Sequence, residues 1–435
     1  MSGAGGSTPH RGTSPLAVIE RSVLDRAKAV ALDLDHPDGE EQLRGLISDE
    51  LERWEQDRRR GLVELDLADP DGIADRAFRN IARYGPLTDL LADPDVWEIM
   101  VNAPDQVFVR RHRGPSGYHH ESFLDDDHVL RTLTKLLADS SSSHRKLDPT
   151  EGLQDAQLDD GSRLHIVHGD LARGGHVMVN IRRFTGVAFR SLDDLVANGT
   201  IDRRGADFLA ACVGARRSLL IAGPPGSGKT TLLSCCAAEL DPTLRVVSAE
   251  EVFEVDIPLA NVAQLQTRAP RPDRPGVDLR RLVSGFLRMA PDVAIVGEVR
   301  DREALPLLLT LSSGVTGYTT IHAASARQAL TRLRFICQLS DTASEVPLSA
   351  LNSLVAESID VVVHCAREAG GPRVQSIIAV EDLAGGAEAT QFTVTDVFRR
   401  DHEGALAWTG LVPARLGTHR AEVGVEITEL LGRSG

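Results

Sequence analysis

The chain has 435 residues, 42% hydrophobic and 26% charged, a globular composition that excludes wholesale disorder, a collagen-like rod and a coiled coil. Its 63 acidic against 48 basic residues leave a formal charge of -15, which disfavours a surface built for nucleic acid. No apolar run reaches the roughly 18 to 20 residues that a bilayer span needs, and at roughly 100 to 200 residues per domain the length predicts two domains.

Residues 1–15 are rich in Gly, Ser, Thr and Pro, with no apolar h-region, and read as a disordered tail without a secretory signal. From residue 16 to about Leu91 the pattern is helical, with Leu43, Ile47, Leu51 and Trp54 spaced by three and four among charges. Arg58, Arg59 and Arg60 read as a solvated helix end, with a partner contact as the alternative. Near Val96 the period changes. EIMVN and QVFVRR, separated by Asn102, Pro104 and Asp105, predict two short strands and the start of a mixed sheet. Asp127 to Asp139 predicts a helix and SSSSHRKLDPTEG a loop, after which RLHIVHG and HVMVNIRRF predict two more strands.

An α+β N-terminal domain is therefore expected over residues 16–184, closing at Phe184, with 185–199 as a linker. Residues 200–435 read as α/β: SLLIA, GPPGSGKTT, LLSCCAAEL and LRVVSAE alternate strand, loop, helix and strand, the pattern of a parallel sheet covered on both faces. Cys212, Cys235, Cys236, Cys337 and Cys365 show no metal or C-x-x-C spacing, so a reducing cytoplasm and plain packing are expected, including for the adjacent pair.

Gly223, Pro224, Pro225, Gly226, Ser227, Gly228, Lys229 and Thr230, followed by Thr231, match the P-loop pattern G-x-x-x-x-G-K-[ST] between a strand and a helix. Such a loop turns backbone N–H groups around phosphate, Lys229 adds a point charge, and Thr230 is the expected Mg2+ ligand. No base-reading N-K-x-D element is found, so ATP rather than GTP is the expected nucleotide. PDVAIVGE ends a second buried strand at Glu298, from which an acid reaches Mg2+; Gly297 stands where many NTPases carry aspartate. A solvated acid after a strand is the plainer alternative. Glu250, Glu251 and Glu254 are either a water-orienting cluster or a charged strand exit, and His322 after TGYTTI fits a structural role as well as a functional one.

In this order, the boxes at Gly223–Thr230, Ser248–Glu254, Val293–Glu303 and Thr316–His322 resemble the type II/type IV secretion ATPases, and within them the CpaF/TadA branch that powers Flp (Tad) pili. The resemblance extends upstream through DVWEIMVN, DGSR and NIRRF and downstream through SIDVVVH, covering roughly residues 80 to 400. It implies a RecA-like P-loop NTPase domain behind a smaller α+β N-terminal domain. It also implies that Glu250 and Glu298 position and activate water, that His322 senses the γ-phosphate, and that Arg163 and Arg182 reach the nucleotide across a domain cleft. A hexamer on the cytoplasmic face of the inner membrane follows from the same likeness, held there by platform proteins and driving pilus assembly or protein secretion. A nucleic-acid motor for conjugative transfer on the same core is the alternative, though no nucleic acid is expected as a partner from an acidic chain with 4% aromatics. The chain departs from the family at Glu251, usually Asp, at Gln157, usually Arg, before Gly317, where an acid is usual, and at Val380–Leu383.

Overall fold

The computed structural model describes residues 14–417 except 35, 113, 141–145, 184–188, 269, 271–273, 340–345, 369, 385–390 and 402–403. The tail expected at 1–15, apart from its last two residues, lies outside the described residues, as do Phe184, the start of the 185–199 linker and part of the loop over 140–152. The chain forms two compact units that divide between Thr185 and Gly186.

The first unit opens with helices Pro15–Ala29, Gly39–Arg59 and Pro70–Ala82. Ser14 and Asp69 cap the first and third, each followed by a proline whose missing N–H costs nothing in the first turn. Ile19, Val23, Leu43, Ile47 and Phe78 form their common core. Arg58 and Arg59 both pair with Glu55 at the end of the second helix, the solvated-end arrangement. Six strands follow: β1 (Val96–Ala103), β2 (Gln106–Arg111), β3 (Gly117–Tyr118), β4 (Leu153–Gln157), β5 (Arg163–Val167) and β6 (Met178–Arg182). They lie in the order β3-β2-β1-β6-β5-β4.

Every ladder of this sheet is antiparallel, which corrects the expectation of a mixed sheet. Short turns join β1 to β2 and β4 to β5, leaving no room for the crossover that a parallel pair requires. β4 was not among the predicted strands. Its LQDAQ sequence has no apolar alternation, and its one buried residue is Gln154. That side chain donates to Lys146 O and accepts from Asp148 N, tying the preceding loop to the sheet edge. One face of the sheet buries Ile99, Val109, Leu164 and Ile181 against helix Asp126–Asp139.

The second unit holds β7 (Leu219–Ala222), β8 (Val246–Glu250), β9 (Val262–Gln266), β10 (Val293–Val296), β11 (Thr316–Ile321), β12 (Val361–Glu368), β13 (Gly371–Val380), β14 (Val394–Arg400) and β15 (Leu406–Trp408). Their order is β15-β14-β13-β12-β7-β11-β10-β8-β9, and the run from β12 to β9 is parallel. The first strand of this unit thus sits centrally between β11 and β12, the arrangement of a RecA-like core. β13, β14 and β15 extend it antiparallel, which the parallel-sheet expectation did not include. Leu219, Leu220, Ile221 and Ala222 are all buried because helices cover both faces: Phe208, Leu209 and Cys236 pack on one side, Phe286, Leu308 and Leu333 on the other. All five cysteines are free and buried in this packing. Parallel strands carry their carboxyl ends to one edge, so residues following β7, β8, β10 and β11 converge there.

In the first unit, Glu20 and His128 are buried with opposite titration. Burial lifts the Glu20 carboxyl to about 7 against the hydrogen bond from Asn80 Nδ2 and the charges of Arg131 and Arg76, with Asp125 adding to the rise. Burial and the Arg131 charge push the His128 imidazole down to about 4, with Arg76 adding to the fall and Asp125 opposing it. A raised acid favours folding below its ordinary 4.5 and loses that benefit as pH climbs through 7; a depressed histidine favours folding above 6.5 and loses it toward 4. The two trends offset between pH 5 and 8. Glu20→Gln should therefore expose the histidine's acid sensitivity, costing the first unit about 2 kcal/mol at pH 5 relative to pH 8, while the parent stays nearly level. Urea unfolding followed by Trp54 and Trp97 fluorescence, in a Trp408→Phe background, checks it; equal slopes with pH for both proteins would contradict it.

Candidate active site

The loop between β7 and helix Lys229–Ala238 is shaped by close backbone approach. A Cβ on Gly223 would stand 2.3 Å from Cys365 O, and Gly228, the helix N-cap, has φ +83° with Pro372 Cβ 3.0 Å from where its own Cβ would be. Both neighbours come from the β12–β13 hairpin, which backs the loop. Ser227 Oγ and Lys229 Nζ donate to Pro224 O at 2.8 and 3.1 Å, so the loop folds over its own lysine. Arg367 donates to Gly226 O at 3.3 Å from the same hairpin. Pro224 and Pro225 are exposed, Gly226, Thr230 and Thr231 half-buried, and the Lys229 side chain is buried.

At the end of β11, His322 joins this loop to β10. Its Nδ1 lies 3.2 Å from Lys229 Nζ and 3.1 Å from Gly223 O, and its Nε2 lies 2.7 Å from Glu298 Oε1. Nδ1 either donates to the Gly223 carbonyl or accepts from the ammonium, according to the tautomer, while Nε2 sits at ion-pair distance from the carboxylate. Arg300 occupies the other carboxylate oxygen: its Nε and Nη2 donate to Glu298 Oε2 at 2.8 and 2.5 Å, and its Nη1 reaches Glu251 Oε2 at 3.1 Å. Burial alone would raise the Glu298 carboxyl, but the His322 hydrogen bond and the Arg300 charge outweigh it and hold it down at about 2. The carboxylate is thus ionised at any physiological pH and serves as an acceptor.

Glu250 is buried at the tip of β8, where its Oε2 accepts from the backbone N–H groups of Glu254 and Val255 at 2.9 and 3.0 Å. A carboxylate gripped by two amides has a fixed orientation. Gly297 makes room for it, since a Cβ there would stand 2.9 Å from Glu250 Cγ. The glycine at the position where many NTPases carry aspartate is therefore occupied space, taken by the carboxylate of the neighbouring strand.

Lys229, Glu298 and His322, singled out in the sequence, lie in one line of polar contacts, and Glu250 flanks it behind Gly297. Arg163 and Arg182 belong to the first unit, directly opposite each other on β5 and β6. Arg300 lies within the box Val293–Glu303 and carries no role from the sequence; an arginine two residues past a strand-end acid is its only signal. The donor set suits a nucleotide with a divalent cation: a buried ammonium inside a loop too tight for side chains fits phosphate. Among the described residues no group of three or more His, Cys, Asp or Glu could hold a metal, so a cation here would need phosphate oxygens among its ligands.

A family model described as type II/IV secretion system protein matches residues 81–390. The chain belongs to that family. Among its relatives, the type IV secretion system protein PtlH of Bordetella pertussis is 33% identical over 305 residues, 64% of this chain and 88% of that protein. The conjugal transfer protein TrbB of Rhizobium radiobacter is 33% identical over 231 residues, 50% of this chain and 68% of that one. Of solved structures, the VirB11 ATPase from the Brucella suis type IV secretion system is 24% identical and covers 67% of this chain and 94% of its own, with a TM-score of 0.36. The first three helices of this secretion-family chain, ending at Ala82, lie almost wholly ahead of the matched segment.

The Gly297–Glu250 contact makes a local prediction. Gly297→Ala should push the Glu250 carboxylate off its two amides, and exchange at the Glu254 and Val255 N–H groups should accelerate about tenfold, the loss of a charge-assisted bond. Hydrogen exchange read by mass spectrometry checks it, and unchanged rates at those amides would contradict the contact.

Proposed function

We propose that the chain is a Mg2+-dependent ATPase that works as a mechanical motor in secretion. The observation that carries this reading is the unbroken line from Pro224 O through Lys229, His322 and Glu298, which joins a phosphate-type loop to a strand-end acid across adjacent parallel strands. In it the backbone of Gly223–Thr230 and Lys229 hold the phosphates, and Thr230 and Glu298 face the cation. Bound Mg2+ would neutralise phosphate charge as the terminal phosphoryl group leaves. Glu250, fixed on its two amides, orients water, Glu298 accepts its hydrogen bond, and His322 registers whether Lys229 is on phosphate.

Residues 16–184 act as an N-terminal domain and 200–435 as the ATPase domain, joined by 185–199. Arg163 and Arg182 support a role for the first in catalysis. The two stand opposite each other on β5 and β6, with Glu98 opposite Arg182 on the other side, and their assignment to the nucleotide rests on the resemblance to the secretion ATPases. No helix among the described residues is long and apolar enough to cross a membrane. Membrane association would then come from platform proteins on the cytoplasmic face, with the motor as a hexamer of the CpaF/TadA type driving a Tad/Flp pilus or protein export. Conjugative transfer is the second reading, favoured by the similarity to TrbB; the net charge of -15 argues that such a motor would act on protein rather than grip DNA.

Two substitutions separate binding from turnover. Lys229→Ala should lose most ATP affinity, whereas Glu298→Gln should keep the parent's metal-free ATP affinity and turn ATP over about a hundredfold more slowly. Calorimetry and phosphate release measure the two, with light scattering expected to show specific activity rising as subunits assemble. Equal ATP affinity of the parent and Lys229→Ala would overturn the nucleotide site; undiminished activity in a monomer would overturn the ring.

A further inference from the structure

The line through Lys229, His322 and Glu298 ends on a residue to which the reading above gives no task. Arg300 is a fork. Two of its nitrogens sit on Glu298 Oε2 and the third reaches Glu251 Oε2, bridging the segments after β8 and β10, with Glu254 adding to the negative field around it. Glu298 Oε1 is taken by His322. Both oxygens of the strand-end carboxylate are thus engaged by nitrogens of this chain, and the Arg300 end is the looser one. Arg300 and Glu251 are 45% and 49% exposed against 18% for Glu298, so the guanidinium is the more solvent-accessible partner.

A divalent cation and a guanidinium compete for the same lone pairs. An arginine resting on Glu298 stands in for the positive charge that a metal would bring, and it must give up Oε2 when that charge arrives. Glu251, with Glu254 beside it, is where the displaced guanidinium would go, because Nη1 is already there and the move needs only side-chain torsions. Glutamate at 251, one methylene longer than the aspartate usual in the family, lengthens that reach.

On the reading of this site as Mg2+–nucleotide binding, we propose that Arg300 is a positioning residue that holds Glu298 while the site lacks metal and hands it over by swinging onto Glu251, so that Glu298 and Glu251 compete for one guanidinium. The consequence is a pair of opposite effects. Removing the arginine frees Glu298 and makes metal binding easier. Removing the acid that receives the arginine leaves it on Glu298 and makes metal binding harder.

The test is the Mg2+ concentration that gives half the maximal gain in ADP affinity, measured by calorimetry on the full chain at stepped Mg2+, with metal-free ADP as the reference. Arg300→Gln should lower that concentration about threefold and Glu251→Gln should raise it by a similar factor, while metal-free ADP affinity stays unchanged in both. Arg300→Lys, which keeps one charge but cannot bridge, should fall between Arg300→Gln and the parent. Should Arg300→Gln fail to fold, Glu251→Gln and Arg300→Lys carry the comparison. A merely structural arginine predicts that all variants change together, or that metal-free ADP affinity falls with them, and either result overturns the proposal. So does an unshifted Mg2+ requirement in variants that bind metal–nucleotide normally. If ADP affinity of the parent ignores Mg2+ altogether, the ATPase reading fails first and this proposal with it.

Discussion

A buried ammonium has to be answered by something, and in this chain the answer to Lys229 organises the edge of the sheet. Its partners are a carbonyl of its own loop and the imidazole of His322, which in turn holds Glu298, whose second oxygen holds Arg300. An ammonium, an imidazole, a carboxylate and a guanidinium follow one another along the line, so each inner member touches a partner on either side. Such a chain in a partly desolvated edge is worth more than its separate bonds, since removing one link leaves another buried group without its partner. The parallel sheet makes it possible by carrying the carboxyl ends of β7, β10 and β11 to adjacent places along one edge.

The two units solve different packing problems. In the second, strands such as Leu219–Ala222 and Val293–Val296 are buried along their whole length between two helical layers, so their side chains have no polar face to tune and the chemistry moves to their tips. In the first, the antiparallel sheet has one covered face and one polar face, and the register puts Gln157, Arg163, Arg182, Glu98 and Arg110 in a single row across β4, β5, β6, β1 and β2. Polar side chains in the second unit thus gather at strand ends. In the first they gather as cross-strand neighbours.

Much of this was legible in the sequence because it is local. A strand, a glycine-rich turn and a helix spell themselves within about a dozen residues, with Lys229 and Glu298 placed by the apolar runs LLIA and VAIV and His322 by the strand-like TGYTTI. What could not be read was long-range. Arg300 meets Glu251 across 49 positions of sequence, and Gly297 is explained by a carboxylate on a different strand. The antiparallel extension β13–β15 follows the parallel core without a change of composition, and β4 carries glutamines and an aspartate where a strand pattern would show alternation. The antiparallel character of the first sheet depended on turn lengths rather than on periodicity, which is blind to strand direction.

Glu298 and His322 form one energetic unit at the strand ends. A double-mutant cycle with Glu298→Gln, His322→Ala and the pair, read as the unfolding free energy of the nucleotide-free chain, measures their coupling without reference to catalysis. A coupling of about 0.5 to 3 kcal/mol is expected, as for residues in direct contact. Additivity within about 0.3 kcal/mol would contradict it and reduce the line through Lys229, His322 and Glu298 to a coincidence of neighbours.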